Sequence, residues 1–229
     1  MQGPLLRILV VALVLLAAAM LAIRHASPPS EPRAAAVPWA ETENATVLPA
    51  GRPLPEFTLT DVEGRPFTKS SLEGRFTLLF FGFTNCPDVC PITMQVLASV
   101  AERLREEAPD EVPDVVFVSV DPFRDTPERI AAYVAAFDPS FIGVTGPDER
   151  LEPLVDALGV GVEKHEHHGE QYNVVHSGAI YVVGPRAEWI AVSTGPHVPA
   201  TVASDFLKIR AAYLRRPPEL ETSLAASAD

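Results

Sequence analysis

Cys86 and Cys90 are the only two cysteines of the chain, and they stand in FFGFTNCPDVCPITM (Phe80–Met94) with three residues between them. Such a pair can do three things. It can close a disulfide, with the sulfurs about 2.05 Å apart. It can cycle as a redox couple. It can also open to hold one ion about 2.3 Å from each thiolate, the distance seen for zinc thiolates. Soft thiolates select Cu(I) or zinc. Thioredoxin-type redox couples have two intervening residues, so the third residue here gives the loop room to act as a clamp without forbidding the bond. A purely structural disulfide would close a very short ring and constrain little chain. A helix predicted just beyond the pair should lower thiol pKa through its N-terminal dipole, which favours the thiolate in either chemical role.

Two thiolates call for a third donor. Of the six histidines, His25 borders the apolar N-terminal run, and His197 lies in the turn TGPHVP. His165, His167 and His168 crowd the polar stretch EKHEHHGEQ, which reads as a solvated loop. His176 follows YNVV and precedes SGAIYVV, so it stands at the mouth of a buried strand, where an imidazole costs less entropy to fix. It is the candidate third ligand; the other reading is a partly buried histidine with ordinary partners. Asp88 lies between the cysteines and Asp121 in SVDP, and both add negative charge near the pair. Asp88 also suits a helix N-cap, and Asp125, in RDTPE, reads as a cap alone. Thr84 and Asn85 shape the loop.

The elements that must position these residues alternate along the chain. Phe57–Thr60 and GRPFTKSSL predict a short hairpin, FTLLFFGF (Phe76–Phe83) a fully buried strand, and Ile92–Glu107 an amphipathic helix. Val115–Val120 is a second buried strand. DTPERIAAYVAAF then predicts a helix capped by Asp125 or Thr126, with Pro127 in its first turn. A weaker strand near Phe141–Thr145, a helix Asp148–Leu158, strands AIYVV and WIAVS and a last helix Ala200–Leu214 complete the pattern. This order predicts an α/β domain with a mixed sheet and helices on both faces. The cysteine loop joins a buried strand to a helix, where the carboxyl ends of sheet strands open a crevice.

Organisation follows from composition. Residues 1–25 hold Arg7, an apolar run Ile8–Ile23, then Arg24 and His25, which reads as an uncleaved signal-anchor helix, with a cleaved signal as the alternative. Residues 26–50, rich in Pro and Ala, read as a linker. Residues 51–214 form one domain, and 215–229 a frayed tail. Either reading of the N-terminus exports the domain, so a single-pass protein of the inner membrane facing the periplasm is expected. The net charge of −12, from 18 Lys and Arg against 30 Asp and Glu, speaks against nucleic acid as a partner.

FGFTNCPDVCP, VSVDPFRDTPE and VVHSGAIYVVGP stand together in an order and spacing that resemble the Sco/SenC family, copper proteins that help assemble cytochrome c oxidase. The resemblance covers most of residues 51–214. It implies a thioredoxin-like fold behind a membrane anchor, and one copper ion per chain, Cu(I) or Cu(II), held by Cys86, Cys90 and His176, with Asp121 close by. It implies as partners the copper-bearing subunit of the oxidase and an upstream periplasmic copper donor or thiol reductant. The role it suggests is a metallochaperone rather than an enzyme. The alternative is a thiol:disulfide oxidoreductase that cycles Cys86 and Cys90 to keep the oxidase copper-site cysteines reduced. A peroxiredoxin-like peroxidase is disfavoured, since the loop lacks that family's Pro-x-x-x-Thr/Ser-x-x-Cys spacing. The chain departs from the family in VVGPRAEW, where an Asp-Gly hairpin turn is common. The His165, His167 and His168 cluster matches no family ligand set, leaving an auxiliary capture site for Cu(II) as its alternative role.

Overall fold

The computed structural model describes residues 40–165 and 173–215, besides Gly3. These belong, Gly3 aside, to the second of the two compact units of the chain, Pro38–Asp229. The apolar run assigned to an anchor, residues 1–25, lies outside the described residues apart from Gly3, as does most of the linker and tail. Among the described residues no helix is long and apolar enough to cross a membrane.

Ten strands are described: β1 (Ala45–Pro53), β2 (Thr58–Asp61), β3 (Pro66–Thr68), β4 (Thr77–Gly82), β5 (Asp114–Ser119), β6 (Ile142–Thr145), β7 (Val162–His165), β8 (Asn173–His176), β9 (Ile180–Gly184) and β10 (Glu188–Ser193). The helices are α1 (Val89–Glu107), α2 (Pro127–Ala135), α3 (Asp148–Leu158) and α4 (Pro199–Leu214). Eight strands form one sheet in the order β1-β10-β9-β4-β5-β6-β2-β3, while β7 and β8 pair apart from it. The β4–β5 and β5–β6 pairs are parallel and the rest antiparallel, giving the mixed sheet expected.

All six residues of β4, TLLFFG, are buried, as a central strand covered on both faces requires. One face carries Phe80 beside Phe117, which in turn meets Tyr133 of α2. Just ahead of β4, Phe76 meets Phe206 and Tyr213 of α4 edge-on. α1 turns Cys90, Met94, Leu97, Ala101 and Leu104 into the core, all buried at helical spacing. α2 starts as its sequence dictates, with Thr126 Oγ1 accepting the Arg129 N–H at 3.4 Å and Pro127 in the first turn. Thr126 is thus the cap, and Asp125 is freed for another task. α3 ends at Gly159, whose φ of 63° is the left-handed turn that glycine adopts without strain.

Two features depart from the sequence expectations. β1 begins at Ala45, inside the stretch read as linker, because buried Asp205 of α4 gathers the backbone N–H groups of Glu43, Asn44 and Ala45 at 2.8, 2.8 and 3.0 Å. The strand is an edge, so it tolerates Pro49, and its register breaks between Val47 and Arg52 around Gly51. The polar stretch read as a solvated loop begins within β7, and β8 follows it to pair with β7. The VVGPRAEW turn closes with Ala187 at φ 52°, a position where a glycine would carry no Cβ penalty.

Candidate metal centre

The cysteine loop leaves the buried end of β4. The Cys86 N–H donates to the Phe83 carbonyl at 3.2 Å, and the Cys90 N–H donates to Cys86 Sγ at 3.4 Å. That sulfur therefore serves an N–H of the first turn of α1. Asp88 occupies the N-cap position, but its exposed side chain makes no capping bond. Both thiols are free; Cys90 is fully buried and Cys86 partly exposed. Gly82 makes the close approach possible, since a Cβ there would stand 3.0 Å from Cys90 Sγ and 2.9 Å from the Phe117 ring.

Burial pushes the Cys90 thiol well above its ordinary pKa. Its hydrogen bond with Cys86 adds to this, and a hydrogen bond with the Phe83 backbone opposes it only in part. The charges of Cys86 and Asp125 raise it further. The helix-start lowering expected from sequence is thus outweighed at Cys90, because desolvation of a thiolate costs more than a helix terminus returns. Cys86 is the sulfur that solvent and partners can reach.

Asp125 holds the loop in place. It is 1% exposed and accepts the Thr84 N–H at 2.9 Å, the Thr84 hydroxyl at 2.5 Å and the Ser119 hydroxyl at 2.6 Å. One carboxylate thereby ties the loop after β4 to the end of β5. Asp121, fully buried, instead accepts from Arg124 Nε at 2.5 Å, and the Arg124 guanidinium lies 5.6 Å over the Phe83 ring. Asn85 Oδ1 accepts from Arg129 Nη2 at 2.7 Å. Sequence reasoning assigned Asp125 only a cap. No local spacing links it to Thr84, from which 41 positions separate it; the one hint is that β4 and β5 read as neighbouring buried strands.

His176 closes β8, opposite Val162 in β7, rather than entering the main sheet. Its side chain lies outside the described residues, as do His167, His168 and the side chain of His165. The backbone just past His176 is well anchored. The Ser177 N–H donates to the Gly161 carbonyl at 3.1 Å, and the Ala179 N–H to Ser177 Oγ at 3.3 Å. A Cβ on Gly178 would stand 3.1 Å from Val89 Cγ2, so the segment between His176 and β9 runs against the residue preceding Cys90. His197, seen from sequence only as part of a turn, places Nε2 at 2.8 Å from the Gly178 carbonyl. Among the described residues no group of three or more His, Cys, Asp and Glu side chains converges. The soft donors brought together among the described residues are the two thiols, and their softness fits Cu(I) better than a hard cation.

A mixed sheet flanked by helices, with a Cys-x3-Cys pair at a strand-to-helix junction, is a thioredoxin-like arrangement. The chain belongs to the SCO1/SenC family, whose model matches residues 48–210. It is 39% identical over 143 residues to a protein of Stutzerimonas stutzeri whose name proposes copper binding; the match covers 62% of this chain and 69% of that one. The solution structure of apo Sco1 from Thermus thermophilus superposes with a TM-score of 0.65 at 34% identity, covering 73% of this chain and 98% of that one. The crystal structure of Arabidopsis thaliana ScoI with copper bound gives a TM-score of 0.64 at 31% identity, covering 70% and 98%. Other relatives are spanned over as little as 40% of their own length.

Proposed function

We propose that this chain is a membrane-anchored copper chaperone that binds one copper ion through Cys86, Cys90 and His176 and passes it to the copper-bearing subunit of cytochrome c oxidase. One observation carries the reading: two free thiols share a strand-end loop, and the segment just after His176 lies against that loop through Gly178 and Val89. The copper-bound ScoI of Arabidopsis, similar over 70% of this chain, supports the choice of metal. Two thiolates and one imidazole leave Cu(I) an open side, through which a receiving thiolate attacks and takes the ion by ligand exchange. Cys86, the more exposed sulfur, is the first to release. Asp88, exposed between the thiols, contributes negative charge without being a fixed ligand, whereas the charge of buried Asp121 is offset by its ion pair with Arg124. The anchor at residues 1–25 would hold the domain on the extracytoplasmic side.

The test is a Cu(I) titration of the reduced full chain in detergent against a soft chelator. One equivalent should bind. Cys86→Ser and Cys90→Ser should abolish tight binding, and His176→Ala should weaken it markedly. Unchanged affinity in His176→Ala removes that residue from the site.

A second reading is favoured by the asymmetry of the pair, an accessible Cys86 beside a buried Cys90 whose thiol pKa burial raises. This is the arrangement of an attacking and a resolving thiol. In that reading the Cys86–Cys90 dithiol loses two electrons and two protons as it closes a disulfide, while a target disulfide is reduced to two thiols. A periplasmic thiol reductant then reopens it. Enzyme-like disulfide turnover together with poor copper retention would favour this oxidoreductase over the chaperone.

A further inference from the structure

The turn ahead of α4 does more than redirect the chain. His197 places Nε2 at 2.8 Å from the Gly178 carbonyl and Nδ1 at 3.4 Å from Ser193 Oγ. A carbonyl only accepts, so Nε2 carries the hydrogen; in the neutral ring Nδ1 then accepts from the Ser193 hydroxyl. Ser193 is buried at the end of β10, which sets the imidazole from behind. The turn is also braced from outside, because Asn44 Nδ2 donates to the Thr194 and Pro196 carbonyls at 3.2 and 3.1 Å. The Asn44 N–H is itself held by Asp205 at 2.8 Å. From this fixed turn a single imidazole reaches across to Gly178, the residue packed on Val89 and two positions past His176.

We propose that His197 is a positioning residue for the metal centre: its Nε2–H fixes the Gly178 carbonyl, and with it the segment between His176 and β9, against the thiol loop. The proposal rests on the reading that His176 completes the copper donor set. Held in place, that segment offers a ligand whose backbone is ordered before metal arrives. Released, it must be ordered when the ion binds, and the lost entropy weakens the site. His197 itself is not a ligand in this arrangement, since its ring nitrogens are engaged with Gly178 and Ser193.

The experiment compares the full chain in detergent with His197→Ala and His197→Gln. Cu(I) is competed against a soft chelator, the thiolate-to-Cu(II) charge-transfer band is recorded, and the metal-free melt is measured alongside. His197→Ala should hold Cu(I) about tenfold less tightly and alter the band. His197→Gln, which keeps an N–H donor, should recover most of both. If His197→Ala retains parent affinity and band, or if both variants lose affinity equally, the positioning role is overturned. If the parent binds no copper, the donor-set reading falls and this inference with it. A readout free of both metal and mutation is the imidazole nitrogen spectrum of the reduced parent. Recorded for the neutral ring, it should show His197 protonated on Nε2, and a neutral ring protonated on Nδ1 would overturn the assignment even if the alanine variant failed to fold.

Discussion

Replacing Asp125 by Ala tests whether the thiol loop is held by a single buried carboxylate. The substitution removes the acceptor of three hydrogen bonds, from the Thr84 N–H, the Thr84 hydroxyl and the Ser119 hydroxyl, at 2.9, 2.5 and 2.6 Å. Bonds to a charged group are worth about 1.5–3 kcal/mol each, but they do not add fully. Thr84 is partly exposed, so water can serve its donors once the carboxylate is gone. Ser119 is fully buried, so its hydroxyl loses the Asp125 acceptor where water does not readily replace it. The net loss should be about 3 kcal/mol, which lowers the melting temperature by roughly 6–12 °C for a domain of this size. Urea unfolding of the reduced protein measures it directly. Thr84→Val should cost less alone, because the Thr84 backbone N–H keeps its acceptor, and the two changes should be coupled by about 1 kcal/mol in a double-mutant cycle. A loss below about 0.5 kcal/mol for Asp125→Ala, or strict additivity with Thr84→Val, would refute the idea that this carboxylate locks the loop.

Burial and charge give two further predictions. Under native conditions iodoacetamide should label Cys86 at least about tenfold faster than Cys90, because Cys90 is fully buried and its thiol is held protonated; equal labelling on peptide mass analysis would contradict this. Asp138 carries a lowered pKa: burial alone would raise it, but the Ser140 N–H and hydroxyl and the Arg105 guanidinium, at 2.8, 2.7 and 2.7 Å, outweigh that. A lowered folded-state pKa gives stability that is present above the ordinary carboxylate value of about 3.9 and is lost as pH falls through the folded value. The stability gap between the parent and Asp138→Asn should therefore be constant above about pH 5 and shrink as pH falls below about 4 through the folded value, and a gap that stays constant there would refute it.

How much was legible in the sequence depended on whether the cause was local. The apolar runs of β4 and β5 could only be central strands, and α3 runs from Asp148 to Leu158 as read, since acidic residues open it and Gly159 closes it. Cys86 and Cys90 announced themselves by type and spacing. β1 was hidden because Pro49 and Gly51 break its pattern, and its cause is Asp205 in α4, far away in sequence. β7 and β8 were hidden because a polar ribbon paired only with itself shows no apolar alternation. The tasks of Asp125 and His197 were unreadable for a related reason. Each acts through a partner on another element, and a carboxylate next to a helix start reads as a cap until the fold supplies a different donor.

On the chaperone reading, the two braces would bear on how the site releases its ion. The thiol side is fixed through Asp125, which ties the loop after β4 to the end of β5. The side beyond His176 is fixed through His197, which ties it to the end of β10. These attachments share no residue, and the seam between them is marked by the contact of Gly178 with Val89. A rigid clamp closed on all sides would hold a metal and never give it up. Here each half is held by its own strand ends, while the seam is van der Waals contact. On the chaperone reading, that seam is where the site opens: an incoming thiolate displaces Cys86, the more exposed sulfur, while buried Cys90 and the histidine side keep their places. Loosening either brace should then weaken retention without creating a new exit route, because the order of release is set by which sulfur is exposed rather than by how tightly the loops are tied.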